Sequence, residues 1–217
     1  MMQVSALVAM AVAMGVYQGV NPSMGWLYAT ARGLENRSVK SLIDGGVKFA
    51  WGHYLGMNVV LLPMAWLLAL TRLHPMLLMP WIGATLMVYG LLKLRSPGHP
   101  RLLNRVSPLR VSRWSFVMAL THCGSPLMMI SPLLGLVMVS QAGAPAATNL
   151  ATTLQGYTLL ALGISAAMAL PQLLISLAIA MAVYSRLGLK ALTRYWLNFD
   201  LGWSIIFILM GAMAVGM

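Results

Sequence analysis

TTLQGYTLLALGISAAMALPQLLISLAIAMAVY, residues 152–184, contains no Asp, Glu, Lys or Arg. A helix needs roughly 20 apolar residues to cross a hydrocarbon core of about 30 Å, so this run can span a bilayer with length left to tilt or kink. The rest of the chain has the same character: 217 residues, 60% hydrophobic and 8% charged, with a mean hydropathy of +0.82. Soluble domains carry about 25% charged residues. This chain lacks the polar side chains to cover a water-facing surface, and it reads as an all-α integral membrane protein, residues 1–217 forming a single membrane domain.

Five more spans are drawn outward from that stretch, at about 4–30, 47–70, 75–94, 114–139 and 196–215, which makes six transmembrane helices. The charges orient them. Arg32, Arg37, Lys40 and Lys48, with Glu35 and Asp44, fall in the first loop. Lys93, Arg95, Arg101, Arg105, Arg110 and Arg113 fall in the third, and Arg186, Lys190 and Arg194 in the fifth. That is 13 of the 14 basic residues on one side, with Arg72 on the other. The positive-inside rule then puts these loops in the cytoplasm and both termini on the outer, periplasmic side of a bacterial inner membrane. The net charge of +11 is read as this topology signal and as contact with anionic lipid. Nucleic acid is not expected, because no aromatic residues interleave the basic ones and no polar domain presents them. The first ten residues, MMQVSALVAM, lack a basic leader region, so the first span is expected to be retained.

The third loop, KLRSPGHPRLLNRVSPLR (93–110), divides the chain into three helices plus three: repeat 1 at about 1–94, a basic linker at about 95–113 and repeat 2 at about 114–217. Three is odd, so the second half enters the membrane from the opposite side. Related halves would form an inverted-topology repeat, an architecture common among secondary transporters. Weak internal similarity supports the relation. AMGVYQGVNPSMGWL (13–27) aligns with VMALTHCGSPLMMIS (117–131) on Pro22 and Pro126, pairing Asn21 with Ser125, Gly19 with Cys123 and Gln18 with His122. The third helices share the spacing Gly83 to Gly90 and Ser204 to Gly211, and the middle helices share Pro63 and Pro171.

A proline inside a helix has no N–H and clashes with the carbonyl four residues earlier, which is expected to free the carbonyls of Gln18 and His122. Irregular backbone at membrane depth survives only when buried in protein or lining a wet cavity, so two breaks, one per half, point to a substrate site. The plain alternative is a pair of repaired proline kinks. Gly15 with Gly19, and Gly52 with Gly56, have the spacing that lets helices pack closely.

Ionisable groups inside spans are rarer. Asp200 is the one acid in any span; His53 lies in the second and His122 in the fourth. Together they could relay protons or, with Cys123, bind a divalent or transition metal. Each also has a structural explanation: Asp200 as a partner of Arg194, His53 as an interfacial side chain, Cys123 as a small apolar residue. The nineteen methionines are scattered, with no array at a helix mouth, and serve as flexible apolar filler. No HExxH, GxSxG or phosphate loop occurs, so no enzyme is expected. A single cysteine excludes an intrachain disulfide.

Six short helices, three plus three, with GVNP (19–22) in one half and CGSP (123–126) in the other, resemble the lysine exporter (LysE) superfamily. That superfamily includes amino-acid, cadmium, manganese and nickel/cobalt exporters as well as disulfide carriers. The resemblance implies a transporter fold and leaves the cargo open. The nickel/cobalt branch has a His- and Asp-rich first helix where this chain has Gln18 and Asn21, and the disulfide carriers need two cysteines. The expected function is a secondary transporter, an exporter of a small solute or metal cation, with Gln18, Asn21, Pro22, His122, Cys123, Ser125 and Pro126 at a central site and His53 and Asp200 coupling protons or cation. The alternative is a non-transporting membrane subunit or assembly factor, for instance in copper delivery. No resident cofactor is required by either, and a homo-oligomer is compatible with both.

Overall fold

A computed structural model describes residues 4–71, 75–95, 110–120, 130, 150–187 and 199–216. The protein is all-α. The described helices are α1 (Val4–Val20), α2 (Trp26–Glu35), α3 (Val39–Thr71), α4 (Met79–Arg95), α5 (Val111–Met118), α6 (Leu150–Ala182) and α7 (Phe199–Val215). Single tight turns at Pro22–Met24 and Pro75–Leu78 precede α2 and α4, and a wider turn, Val183–Leu187, extends α6. Two helices are long and apolar enough to cross a membrane, Val39–Thr71 and the helical stretch Thr152–Arg186. Each of α3 and α6 has 33 residues, about 50 Å at 1.5 Å per residue.

Two expected boundaries are corrected. The first span is not one helix: α1 stops at Val20 and α2 begins at Trp26. The first loop shrinks to residues 36–38, because Arg32 and Glu35 lie in α2 and Lys40, Asp44 and Lys48 lie in the first turns of α3. Hydropathy drops there, but local hydrogen bonding keeps the helix going. Arg37 takes a left-handed φ of 47°. The Ser38 amide donates to Gly33 O at 2.9 Å and the Arg37 amide to Leu34 O at 3.3 Å, which closes α2 with a Schellman pattern. Ser38 then caps α3, its Oγ accepting from the Ser41 amide at 3.4 Å. Asp44 and Lys48 form an exposed i,i+4 ion pair at 2.8 Å.

Packing pairs the helices through glycines. A Cβ on Gly15 or Gly19 of α1 would strike the backbone carbonyls of Met168 and Gln172 on α6. On α3, Gly52 and Gly56 meet the carbonyls of Ser112 and Phe116 on α5 in the same way. In both interfaces residue numbers rise together, so the paired helices run parallel. Gly83 of α4 lies against Gly211 O of α7, and Gly90 against Ser204 O, so this pair is antiparallel. The long helices α3 and α6 also cross antiparallel, with Gly46 against Leu177, Asn58 bonded to Ser165 and Trp66 bonded to Thr158. The main core contains Leu7, Met57, Leu61, Met79, Leu86, Met168 and Phe207; a smaller one joins Trp26, Ala29, Leu42, Ala180 and Val183.

Candidate functional site

The site is built where α1 ends. The last carbonyls of a helix have no partner within it, and here those of Gln18, Gly19 and Val20 find one beyond it. The Gln18 carbonyl, expected to be freed by Pro22, accepts instead from the Asn21 amide at 3.1 Å, because the chain tightens into a turn. Ser176 Oγ donates to Gly19 O at 3.3 Å, and Trp26 Nε1 donates to Val20 O at 2.9 Å. Past the turn, Gln172 Nε2 donates to Met24 O at 3.2 Å. Gln172 and Ser176 are one helical turn apart on α6, immediately after Pro171. The broken end of α1 is therefore held by two side chains of the proline-containing helix from the other half of the sequence.

Gly25 completes the break. Its φ of 129° is open to glycine and strained for other residues, and a Cβ there would sit 2.9 Å from the Phe49 ring of α3. Phe49 in turn stacks on His53, one turn later, at a centroid distance of 6.1 Å, and meets the Trp114 ring of α5 at a tilt of 52° and 6.0 Å. Ser115 donates to the Phe49 carbonyl, tying α5 to α3 at the same level. Deeper along the α3–α6 crossing, Ser165 Oγ donates to Asn58 Oδ1 at 3.0 Å, while Asn58 Nδ2 donates to Tyr54 O at 2.8 Å.

Of the expected site residues, Gln18 and Asn21 are buried at the break and Pro22 opens the tight turn. His53 is fully buried. Asp200 lies in the first turn of α7, where the backbone alone is described. His122, Cys123, Ser125 and Pro126 lie outside the described residues. Among the described residues no three His, Cys, Asp or Glu side chains gather as a metal site. The expected set of His53, His122, Cys123 and Asp200 thus has only its His53 side chain on view.

The sequence reading missed Gln172, Ser176, Asn58, Ser165 and Gly25. A signal existed for the first two: polar residues at i and i+4 directly after a helix-interior proline, in a run otherwise apolar. The buried polar groups around the break are carboxamides, hydroxyls and one imidazole; no carboxylate is buried among the described residues. Gln172 Oε1 is buried and accepts no hydrogen bond from the described residues, a condition that costs about 1–3 kcal/mol unless a donor reaches it. No protein-family profile matches the chain, no curated protein matches it in sequence, and no solved structure matches it in fold.

Proposed function

We propose that the chain spans a bacterial inner membrane as a six-helix, 3+3 inverted repeat and works as a secondary transporter, exporting a small solute or a transition-metal cation through a central site at the α1 break. The polarity of the fold supports the membrane reading. Large apolar side chains cover the outside of every long helix, among them Trp51, Leu70, Trp81, Leu92, Leu159, Leu174 and Leu209, and Trp81 is 76% exposed. The inside holds Gln18, Asn21, His53, Asn58, Ser165, Gln172 and Ser176. An exterior this apolar marks contact with lipid or partner, and polar groups turned inward are the arrangement that lipid demands.

The pairing of helices supports the repeat. Exchanging the halves turns α1 into α5, α3 into α6 and α4 into α7. The parallel pair α1–α6 then becomes α5–α3, and α3–α6 and α4–α7 become themselves. The glycine contacts of α4 with α7 fit the same exchange. With Gly83 equivalent to Ser204 and Gly90 to Gly211, the contact of Gly83 with Gly211 becomes Ser204 with Gly90, and both occur. That reciprocity is what a two-fold axis between the halves requires.

The observation that carries the transport reading is the helix break itself, enclosed by buried carboxamides and hydroxyls from both halves inside an apolar-coated bundle. Protein reconstituted into liposomes and screened with amino acids and divalent cations is expected to show gradient-driven flux of at least one of them. Gln18→Leu should reduce that flux at least tenfold while the protein still elutes as a single species. Correctly inserted protein that moves no member of the panel would overturn the reading.

A further inference from the structure

We infer that the break at residues 21–25 is a hinge joining two rigid helix groups, one made of α1 and α6 and the other of α2, α3 and α5. The proposal builds on the transporter reading by naming the moving parts. The grouping follows from the kind of contact. Inside each group, glycines bring the helices close: Gly15 on the Met168 carbonyl and Gly19 on Ile175 and the Gln172 carbonyl of α6, Gly52 on the Ser112 carbonyl of α5 and Gly56 on Ala119 and the Phe116 carbonyl. Contacts that close leave little side chain to repack, so the partners move together. On the other side of the break, α2 lies on α3 and α5. Gly33 packs on Leu42, Arg32 on Gly45 and Gly25 on Phe49. Tyr28 stacks on Trp114 with ring centroids 6.4 Å apart.

Between the groups the contacts run through side chains, as they do between α2 and α3, and no glycine of the described residues meets a backbone carbonyl there. The α3–α6 crossing is made by side chains: Gly46 meets the end of Leu177, Ser165 bonds Asn58, and Trp66 Nε1 donates to Thr158 Oγ1 at 2.9 Å. Helix α2 touches α6 through Thr30 Oγ1, which donates to Ala180 O at 3.5 Å and, in a better bond, to its own Trp26 O at 2.8 Å. Tyr184 also leans on Gly33. Side-chain contacts can slide or re-form in a small shear. The chain passes from one group to the other at the break, through Gly25 with its φ of 129°, and crosses back between α5 and α6. The Gln172 bond to Met24 O is the latch across that passage.

The test reads distances without a cargo. Spin labels carried on noncanonical amino acids replace the exposed residues Val8 (α1), Leu174 (α6) and Trp51 (α3), in vesicles of phosphatidylethanolamine and phosphatidylglycerol. The within-group pair Val8–Leu174 is expected to give one narrow distance distribution, and Val8–Trp51 and Leu174–Trp51 broad or two-peaked ones. Two cysteine pairs supply the controls. A Cβ at Gly45 would lie 3.8 Å from Arg32 Cβ, within the usual disulfide separation, so oxidised Arg32→Cys/Gly45→Cys ties α2 to its own group and should leave the distributions as they were. Oxidised Gly46→Cys/Leu177→Cys ties the groups together and should collapse the between-group distributions to one peak, restored by reductant. Equally narrow distributions for all three label pairs would overturn the hinge, as would equal narrowing by both tethers. Two-peaked distances with no flux in the liposome screen would reject transport and keep the hinge; flux with narrow distances would do the reverse.

Discussion

Gly25 and Pro22 divide the work of the break between them. Pro22 was legible in the sequence, since a proline in an apolar run announces a missing hydrogen bond. Gly25 was not, because its reason lies in Phe49, a residue 24 positions away whose ring fills the space beside it. Gln172 and Ser176 were hidden for a similar reason: nothing local says that their hydrogen bonds go to a helix end in the other half. Gly25→Ala must hold a left-handed φ, costing about 1–2 kcal/mol, and must also move the Phe49 ring. Thermal unfolding in detergent should therefore show a clear loss of stability, and an unchanged midpoint would mean that the turn relaxes freely.

At the level of helices, the sequence marked where apolar runs begin and end but not where helices do. Helix α3 starts eight residues before its apolar run (Val39 against 47) because Ser38 caps it and its first turns carry charge on an exposed face. The glycine pairs were read as packing spacers, which is how the structure uses them; which helix each one faces could not be read, since spacing carries no partner. Two glycines separate close approach from simple helix weakening. Gly163 of α6 has nothing within 4 Å of an added Cβ, so Gly163→Ala should stabilise the protein by about 0.5–1 kcal/mol. Gly90 lies against Ser204 O and Ile208, so Gly90→Leu would force α4 from α7 and cost about 1–3 kcal/mol or more. Unfolding midpoints of the two variants moving in opposite directions is the expected result; shifts in the same direction would mean that the α4–α7 contact is not tight.

For the whole molecule, composition gave the all-α class directly, and the odd number of helices before the basic linker gave the idea of opposed halves. The pairing of α1 with α6 and of α3 with α5 was not legible, because it depends on shape matching between residues as far apart as Gly52 and Ser112 or Gly15 and Met168. The account rests on that opposition of halves across a membrane. Topology reporters test it most directly: a fluorescent protein inserted at Pro100 and a secreted phosphatase fused after Met217, each in intact cells. The account predicts fluorescence from Pro100, on the cytoplasmic side with the basic loops, and phosphatase activity from Met217, on the outer side. A phosphatase silent at Met217 while Pro100 remains cytoplasmic would leave an even number of crossings in the second half, and the inverted arrangement would be contradicted.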